Sequence, residues 1–275
     1  MDKVIDLGQL RSELQVEDDF KSPPSLLQEI LAVTEDPRSG AKDVQAIVER
    51  DMSCAVKLLR LANSVAINPG GVRIADLSAA IGRLGFDIVR TTSLAVAMDQ
   101  MLKSRHLASY DNISRQTWEY SIQVAAIARV LARHLGRVNP DQAMLTGLVH
   151  NIGVFYLMYR AAEYPEYRSN EPAMIELLLG WHEGIGESLL HILGVPTQIT
   201  DAVRDQSQIR NVETPCTLAD ILYFAKQLAD SKPQWQLAYL NGHDAAAEEE
   251  NRLRYADLLH EAEEDILDLR AALSA

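Results

Sequence analysis

The sequence predicts an all-α protein. Apolar residues recur at spacings of three and four along nearly the whole chain, which is the period of an amphipathic helix. Only 14 of the 275 residues are glycine, and runs of alternating β-branched residues are nearly absent. With 47% hydrophobic and 24% charged residues, the chain can bury a sizeable core. We therefore expect an irregular multi-helix bundle packed by ridges into grooves.

The first part of the chain contains five predicted helices. The first follows residues 22–25, where Ser and Pro favour a helix start, and the third has Asp51 or Ser53 as its candidate cap. Residues 68–71, with the sequence Asn-Pro-Gly-Gly, predict a strong break. A fourth helix is predicted over residues 74–84, closed by Gly85, and a fifth follows it.

The second part begins after a predicted loop at residues 104–112. A long helix should end at Gly136, and Asp141 should cap the next one. Shorter helices follow, two of them separated at Pro196, and two final helices are expected over residues 217–229 and 251–273.

These elements divide the chain into three predicted segments. Residues 20–104 form an N-terminal helical subdomain, residues 112–210 a second helical core, and residues 215–275 the C-terminal helices. From residue 244 onward, 10 acidic residues stand against 3 basic ones. This acidic tail is either a solvated helix face or a docking element for a partner. Whether it packs back on the core is open at this stage.

Composition also excludes several classes of function. The net charge of −13, without clustered Lys and Arg, argues against nucleic-acid binding. No apolar run reaches the roughly 18 residues that span a bilayer, and the first residues lack the pattern of a signal peptide. Two cysteines, Cys54 and Cys216, cannot form a disulfide framework. We therefore expect a cytoplasmic protein that does not contact a membrane.

One segment, residues 147–153, places His150 and Asn151 in an otherwise apolar stretch that ends at Gly153. Polar side chains in such surroundings lose free energy unless they form hydrogen bonds or bind a ligand. Histidine is the commonest metal ligand, and imidazole suits Fe, Mn, Zn or Ni. Spacing alone leaves two interpretations, a hydrogen-bonded core histidine and a metal ligand.

Six segments, in order along the chain, resemble the HDOD family, the HD-related output domain of bacterial signalling proteins. This family is a branch of the HD superfamily of metal-dependent phosphohydrolases. The resemblance covers residues 20–208 and rests on residues 23–27, residues 51–64, residues 79–85, residues 118–128, residues 147–153 and residues 194–199.

The resemblance implies a metal site whose ligands are incomplete in this chain. The family's His-Asp pair stands here as His150 and Asn151, a later histidine is His182, and Asp205 is a further oxygen donor. An asparagine offers a neutral carbonyl oxygen, whereas a hard divalent cation is held best by charged carboxylates. We therefore expect at most one weakly held divalent metal (Fe, Mn, Zn or Ni) and a degenerate metal site.

The same resemblance assigns further residues to a pocket and to structural corners. Tyr120 stands where catalytic relatives have an early histidine, and a phenol is a poor replacement for neutral imidazole. The candidate pocket residues are Tyr120, Trp118, Trp181 and Gln206. The candidate structural residues, at helix ends and turns, are Asn63, Ser64, Gly85 and Gly153.

The sequence therefore predicts a non-catalytic HDOD-type module of bacterial signal transduction. It would act through a signalling protein partner in trans, or by sensing a small ligand in the former active-site cleft. The alternative is a divergent metal-dependent phosphohydrolase that acts on a nucleotide or cyclic di-nucleotide through a metal-activated water. A fold resemblance does not by itself establish activity.

Overall fold

A computed structural model describes residues 25–64, 67–68, 70–103, 105–168, 170–210, 212–237 and 245–273. Within these ranges the chain is helical, with no β-strand, and the predicted all-α class is confirmed. Residues 20–24, which carry the predicted start of the first helix, lie outside the described residues, as do Pro69 and Ser104. None of the described helices combines the length and the apolar character needed to cross a membrane.

The N-terminal half packs three helices against a long one. Asp51 accepts hydrogen bonds from the backbone N–H groups of Ser53 and Cys54 and so caps the third helix. Gly85, with φ of 75°, interrupts the long helix, a conformation that favours glycine. The four helices are α1 (Ser25–Glu35), α2 (Ala41–Val48), α3 (Met52–Ala62) and α4 (Leu77–Leu102).

The turn between α3 and α4 is organised by the side chain of Asn63. Its amide nitrogen donates to Leu59 O and Ile74 O, and its Oδ1 accepts from the Ile74 N–H. The Ser64 hydroxyl donates to Leu61 O. Because both backbone groups of Ile74 bond to Asn63, α4 begins at Leu77 and not at residue 74 as predicted.

The second half is built on α5, which packs along α6, while α7 packs along α9. The predicted loop at residues 104–112 is wrong in part, since a 3-10 helix (Arg105–Tyr110) precedes α5. The side chain that caps α6 is Asn139 and not Asp141, since its Oδ1 accepts from the N–H groups of Asp141 and Gln142. The helices are α5 (Asp111–Leu135), α6 (Pro140–Val149), α7 (Ile152–Ala161), α8 (Pro165–Arg168), α9 (Glu171–Ile192) and α10 (Thr197–Arg204).

Helices α7 and α9 approach each other closely at Gly153. A Cβ atom on Gly153 would lie 1.9 Å from the backbone oxygen of His182, so no larger residue fits without moving a helix. Gly147 has a similar role in α6, where a Cβ would lie 2.6 Å from Ala125 Cα of α5. The contact at Gly153 brings α7 close to the backbone of His182 in α9, and the contact at Gly147 brings α6, which leads to His150, close to α5.

The C-terminal helices pack on both halves. Helix α11 lies against α5 and α6, and α14 lies against α5 and α3. Part of the acidic tail is paired there, because Asp265 and Glu261 accept from Arg133 at 3.1 and 2.6 Å. The helices are α11 (Leu218–Leu228), α12 (Gln234–Leu237), α13 (Ala245–Arg254) and α14 (Ala256–Leu273).

Candidate functional site

A cavity of about 110 Å³ lies where α5, α9 and the C-terminal helices meet. Its wall combines aromatic rings, neutral polar groups and four charged side chains. The lining residues are Tyr120, Leu179, His182, Glu183, Gln206, Ser207, Tyr223, Lys226, Gln227, Lys232, Trp235, Gln236 and Glu248. Of the predicted site residues, the cavity thus brings together Tyr120, His182 and Gln206.

His150 is fully buried at the junction of α6 and α7. Its Nδ1 lies 2.6 Å from Gly147 O, and because a carbonyl only accepts, Nδ1 carries the proton. The lone pair of Nε2 therefore has no hydrogen-bond partner within the described chain. Burial, together with the positive charge of Lys226, holds the pKa of His150 well below its usual value and keeps the ring neutral.

Asn151 is equally buried and continues the same polar layer. Its Nδ2 donates to Ser121 Oγ at 3.1 Å, while its Oδ1 is a second buried acceptor without a partner among the described residues. Gln206 closes this layer, because its Nε2 donates to the backbone oxygen of His150 at 2.9 Å.

His182 presents its ring from α9. Its Nδ1 donates to Leu178 O at 2.7 Å, and its ring packs edge-on against Trp235 with centroids 5.0 Å apart. Burial and the charge of Lys226 lower the pKa of His182 to about 4, so this imidazole is also neutral at pH 7.

Lys226, on α11, supplies a cation to the cavity wall. Its Nζ donates to the backbone oxygen of Gln206 at 3.2 Å and to the Gln206 Oε1 at 3.0 Å. Its own backbone oxygen accepts from the Tyr120 hydroxyl at 3.0 Å, which ties α11 to α5. Burial lowers the pKa of Lys226 to about 8, and the charge of Glu183 opposes this shift.

Two carboxylates complete the wall. Glu183 accepts from the Ser207 hydroxyl, and burial raises the pKa of its carboxyl. Glu248, on α13, forms an ion pair with Lys232. Because that pair is already neutral, Lys226 and Glu183 decide the net charge that a ligand would meet.

The other predicted site residues lie outside the cavity. Asp205 is held by Arg204 at 2.8 Å, and that hydrogen bond lowers the pKa of its carboxyl. Trp118 packs edge-on against Phe155 with centroids 6.3 Å apart, and Trp181 is half-buried against the core. The residues with a predicted structural role also lie outside the cavity, namely Asn63, Ser64, Gly85 and Gly153.

These donors do not fit a firmly held divalent metal. The neutral His150 Nε2 and Asn151 Oδ1 suit a metal, but no group of three or more His, Cys, Asp or Glu residues able to hold one exists within the described ranges. Asp205 is committed to Arg204. The charge of Lys226 also acts on both histidines, where a second cation would be repelled.

Sequence reasoning missed half of the cavity. Tyr223, Lys226, Trp235 and Glu248 come from α11 to α13, downstream of the recognised motifs. One signal was present, because Lys226 is the one basic residue of a helix that is mostly apolar. A charged side chain on the packed face of a helix is rare, because removing it from water costs free energy unless it is paired or hydrogen-bonded.

Solved structures share this fold across nearly the whole chain. A protein from Shewanella amazonensis SB2B, named "Putative metal-dependent phosphohydrolase", is 19% identical, with 97% of each chain covered and a TM-score of 0.75. An HDOD domain protein of unknown function from Geobacter sulfurreducens is 20% identical (96% and 98% covered, TM-score 0.58). A "Putative signal transduction protein" from Marinobacter aquaeolei VT8 is 24% identical, with 98% of this chain and 66% of that chain covered and a TM-score of 0.59.

At these identities the likeness establishes the fold alone. A search of the curated proteins finds no match. The family model of the HDOD domain, however, matches residues 20–209, which is more than half of the chain. The six motifs, the all-helical architecture and this match agree, and the chain belongs to the HDOD domain family.

Proposed function

We propose that this protein is a non-catalytic signalling module that receives a small ligand in the HD-type cleft and passes the signal to a protein partner in trans. One observation carries the proposal, namely the Lys226 ammonium bonded to Gln206 in the wall of that cleft. A fixed lysine cation beside two neutral imidazoles disfavours a catalytic metal but still offers a charged contact to a ligand. The cytoplasmic location expected from the composition is part of this proposal.

The competing function is a divergent metal-dependent phosphohydrolase for a nucleotide or cyclic di-nucleotide. It is supported by the two unpartnered buried acceptors, His150 Nε2 and Asn151 Oδ1, and by the printed name of the Shewanella amazonensis protein. It would need further charged ligands to hold a metal that activates water.

Hydrolysis of bis(4-nitrophenyl) phosphate with added Mn²⁺, Fe²⁺, Zn²⁺ or Ni²⁺ separates the two functions. We expect the wild-type rate to equal that of the metal in buffer alone. Turnover above that background, lost in the His182→Gln variant and kept in the variant His260→Gln on the exposed face of α14, would establish the hydrolase instead.

The partner is tested separately, with the purified chain as bait in an extract of the native cell. We expect specific recovery of a signalling protein, identified by mass spectrometry and then verified with purified components. Recovery of no specific protein, while a control bait retrieves its known partner, would contradict this part of the proposal.

A further inference from the structure

Lys226 carries a positive charge on which the Glu183 carboxyl acts only from beyond ion-pair distance. Among the described residues, no carboxylate lies within ion-pair distance of its Nζ, and its hydrogen-bond acceptors are two neutral oxygens of Gln206. With a pKa of about 8, the amine is mostly protonated at pH 7. A half-buried ammonium whose hydrogen bonds go to neutral oxygens gains a charge-assisted contact from an arriving anion, because the cavity wall screens the attraction less than bulk water does.

The hydrogen bonds of Lys226 also indicate that it can bind an anion. An ammonium has three N–H donors, and the two Gln206 oxygens account for two of them. Lys226 is part of the cavity wall, so its third N–H donor remains for a group that enters the cavity. A carboxylate oxygen there would form a charge-assisted hydrogen bond, roughly twice as strong as a neutral one.

The charges of the cavity wall favour a ligand with no more than one negative charge. Glu248 and Lys232 neutralise each other, which leaves the Lys226 ammonium and, nearby, the carboxyl of Glu183. A ligand with a single negative charge can place that charge on Lys226. A doubly charged phosphate would bring a second charge toward Glu183, where like charges repel.

The cavity volume and the apolar part of its wall limit the size and polarity of the ligand's uncharged portion. A cavity of about 110 Å³ approaches the roughly 150 Å³ of an engineered cavity that binds benzene. Leu179, Tyr223 and Trp235 supply apolar and aromatic surface to it.

We propose that this cavity binds a small organic monoanion, with its carboxylate on Lys226 and an apolar body against Leu179, Tyr223 and Trp235. The inference deepens the proposed function, because it names the chemical class of the sensed ligand. Since α11 to α13 supply Lys226, Trp235 and Glu248, the occupied cavity joins the C-terminal helices to α9 through one molecule.

The test uses the full chain labelled with [ε-¹³C]lysine and kept in chelator. The sequence has seven lysines, so few NMR signals are expected, and the Lys226 signal is the one missing from Lys226→Met. Acetate and benzoate are the probes. We expect benzoate to shift the Lys226 signal saturably and to bind more tightly than acetate, with the signal of Lys57 unchanged as an internal control.

Matched ligands and variants decide the outcome. Benzyl alcohol, the neutral analogue, and inorganic phosphate should each bind at least about tenfold more weakly than benzoate. By calorimetry, Lys226→Met and Lys226→Gln should both weaken benzoate binding by at least about tenfold, whereas Lys42→Ala, at an exposed position of α2 away from the cavity, should leave it unchanged. Circular dichroism confirms that each variant is folded.

Equal binding of benzoate and benzyl alcohol, unchanged affinity in both Lys226 variants, or no response to either carboxylate would overturn the inference. Preferred binding of phosphate would assign the site to a phosphate-bearing ligand and would also overturn it. Because chelator removes metals, these results are independent of the hydrolysis assay. If carboxylate binding fails and the hydrolysis assay shows no turnover, only the ligand class is contradicted. If the hydrolysis assay shows turnover, the proposed function itself is contradicted.

Discussion

Lys57 is buried in the helical bundle and Lys226 is half-buried at a cavity, and their partners differ. Lys57, on α3, is 1% exposed and reaches Asp99 of α4 at 2.6 Å, in a packed core. Lys226, on α11, reaches only the neutral oxygens of Gln206 and faces a cavity. The charge of Lys57 is compensated by Asp99, and this ion pair links two helices. The charge of Lys226 has no such partner and remains available to a ligand.

The largest effect should come from breaking the compensated pair. Asp99→Asn leaves Lys57 buried without a countercharge, so we expect the free energy of unfolding to fall by about 3–5 kcal/mol in urea denaturation. The control is Asp111→Asn, which removes an exposed ion pair with Arg115 and should change it by less than about 1 kcal/mol. A loss for Asp99→Asn as small as that of the control would mean that the Lys57 charge is compensated elsewhere.

The next effect concerns acid stability. His182 has a pKa of about 4 in the folded state against about 6.5 unfolded, so between these values the unfolded chain binds more protons. Stability from this group is therefore fully present above about pH 6.5 and is lost as the pH falls to about 4.

We expect this loss to approach about 3 kcal/mol and to be absent in His182→Gln. The measurement is urea denaturation of both proteins at several pH values across that window. Parallel pH profiles for wild type and His182→Gln would contradict the burial of a neutral imidazole at this position.

The close approach of α7 and α9 gives a somewhat smaller effect. In Gly153→Ala the added methyl meets the His182 backbone oxygen, and we expect a loss of about 1–3 kcal/mol with a changed fluorescence of Trp235. Gly180→Ala is the matched control on α9, where nothing lies within 4 Å of the new methyl. That control should be neutral or slightly stabilising; equal losses in both variants would show that the contact at Gly153 is not special.

The smallest effect should come from Lys226→Met. Removing a half-buried charge offsets the loss of two hydrogen bonds to Gln206, so the free energy of unfolding at pH 7 should change by less than about 1 kcal/mol. The same urea denaturation measures it beside Asp99→Asn. A loss as large as that of Asp99→Asn would assign Lys226 a structural role and erase the difference between the two lysines.

The sequence predicted the all-α fold and the part of the cavity wall formed by Tyr120, His182 and Gln206. Helical periodicity and capping residues such as Asp51 identified the helices, because these signals are local. The start of α4 was misplaced, since the bonds between Asn63 and Ile74 join residues on either side of a turn. Motif resemblance selected His150, Asn151 and His182, whose neighbourhood follows from the close packing at Gly153.

The other side of the site depends on tertiary packing. Asp205 was a candidate metal ligand by position along the chain, but its nearest cation is the adjacent Arg204. Lys226 lies twenty residues beyond Gln206, and the packing of α11 against α10, which Gln206 follows, brings the two together. No local pattern encodes such a contact, although a single lysine in a mostly apolar helix indicates where one could form.

The most direct measurement is the metal content of the chain purified from cells supplied with Mn, Fe, Zn and Ni. If Lys226 supplies the cation of the HD-type cleft, elemental analysis should find far less than one ion per chain in a fully folded protein. About one tightly held ion per chain, lost when His150 and His182 are both changed to alanine, would contradict that claim and would favour the hydrolase.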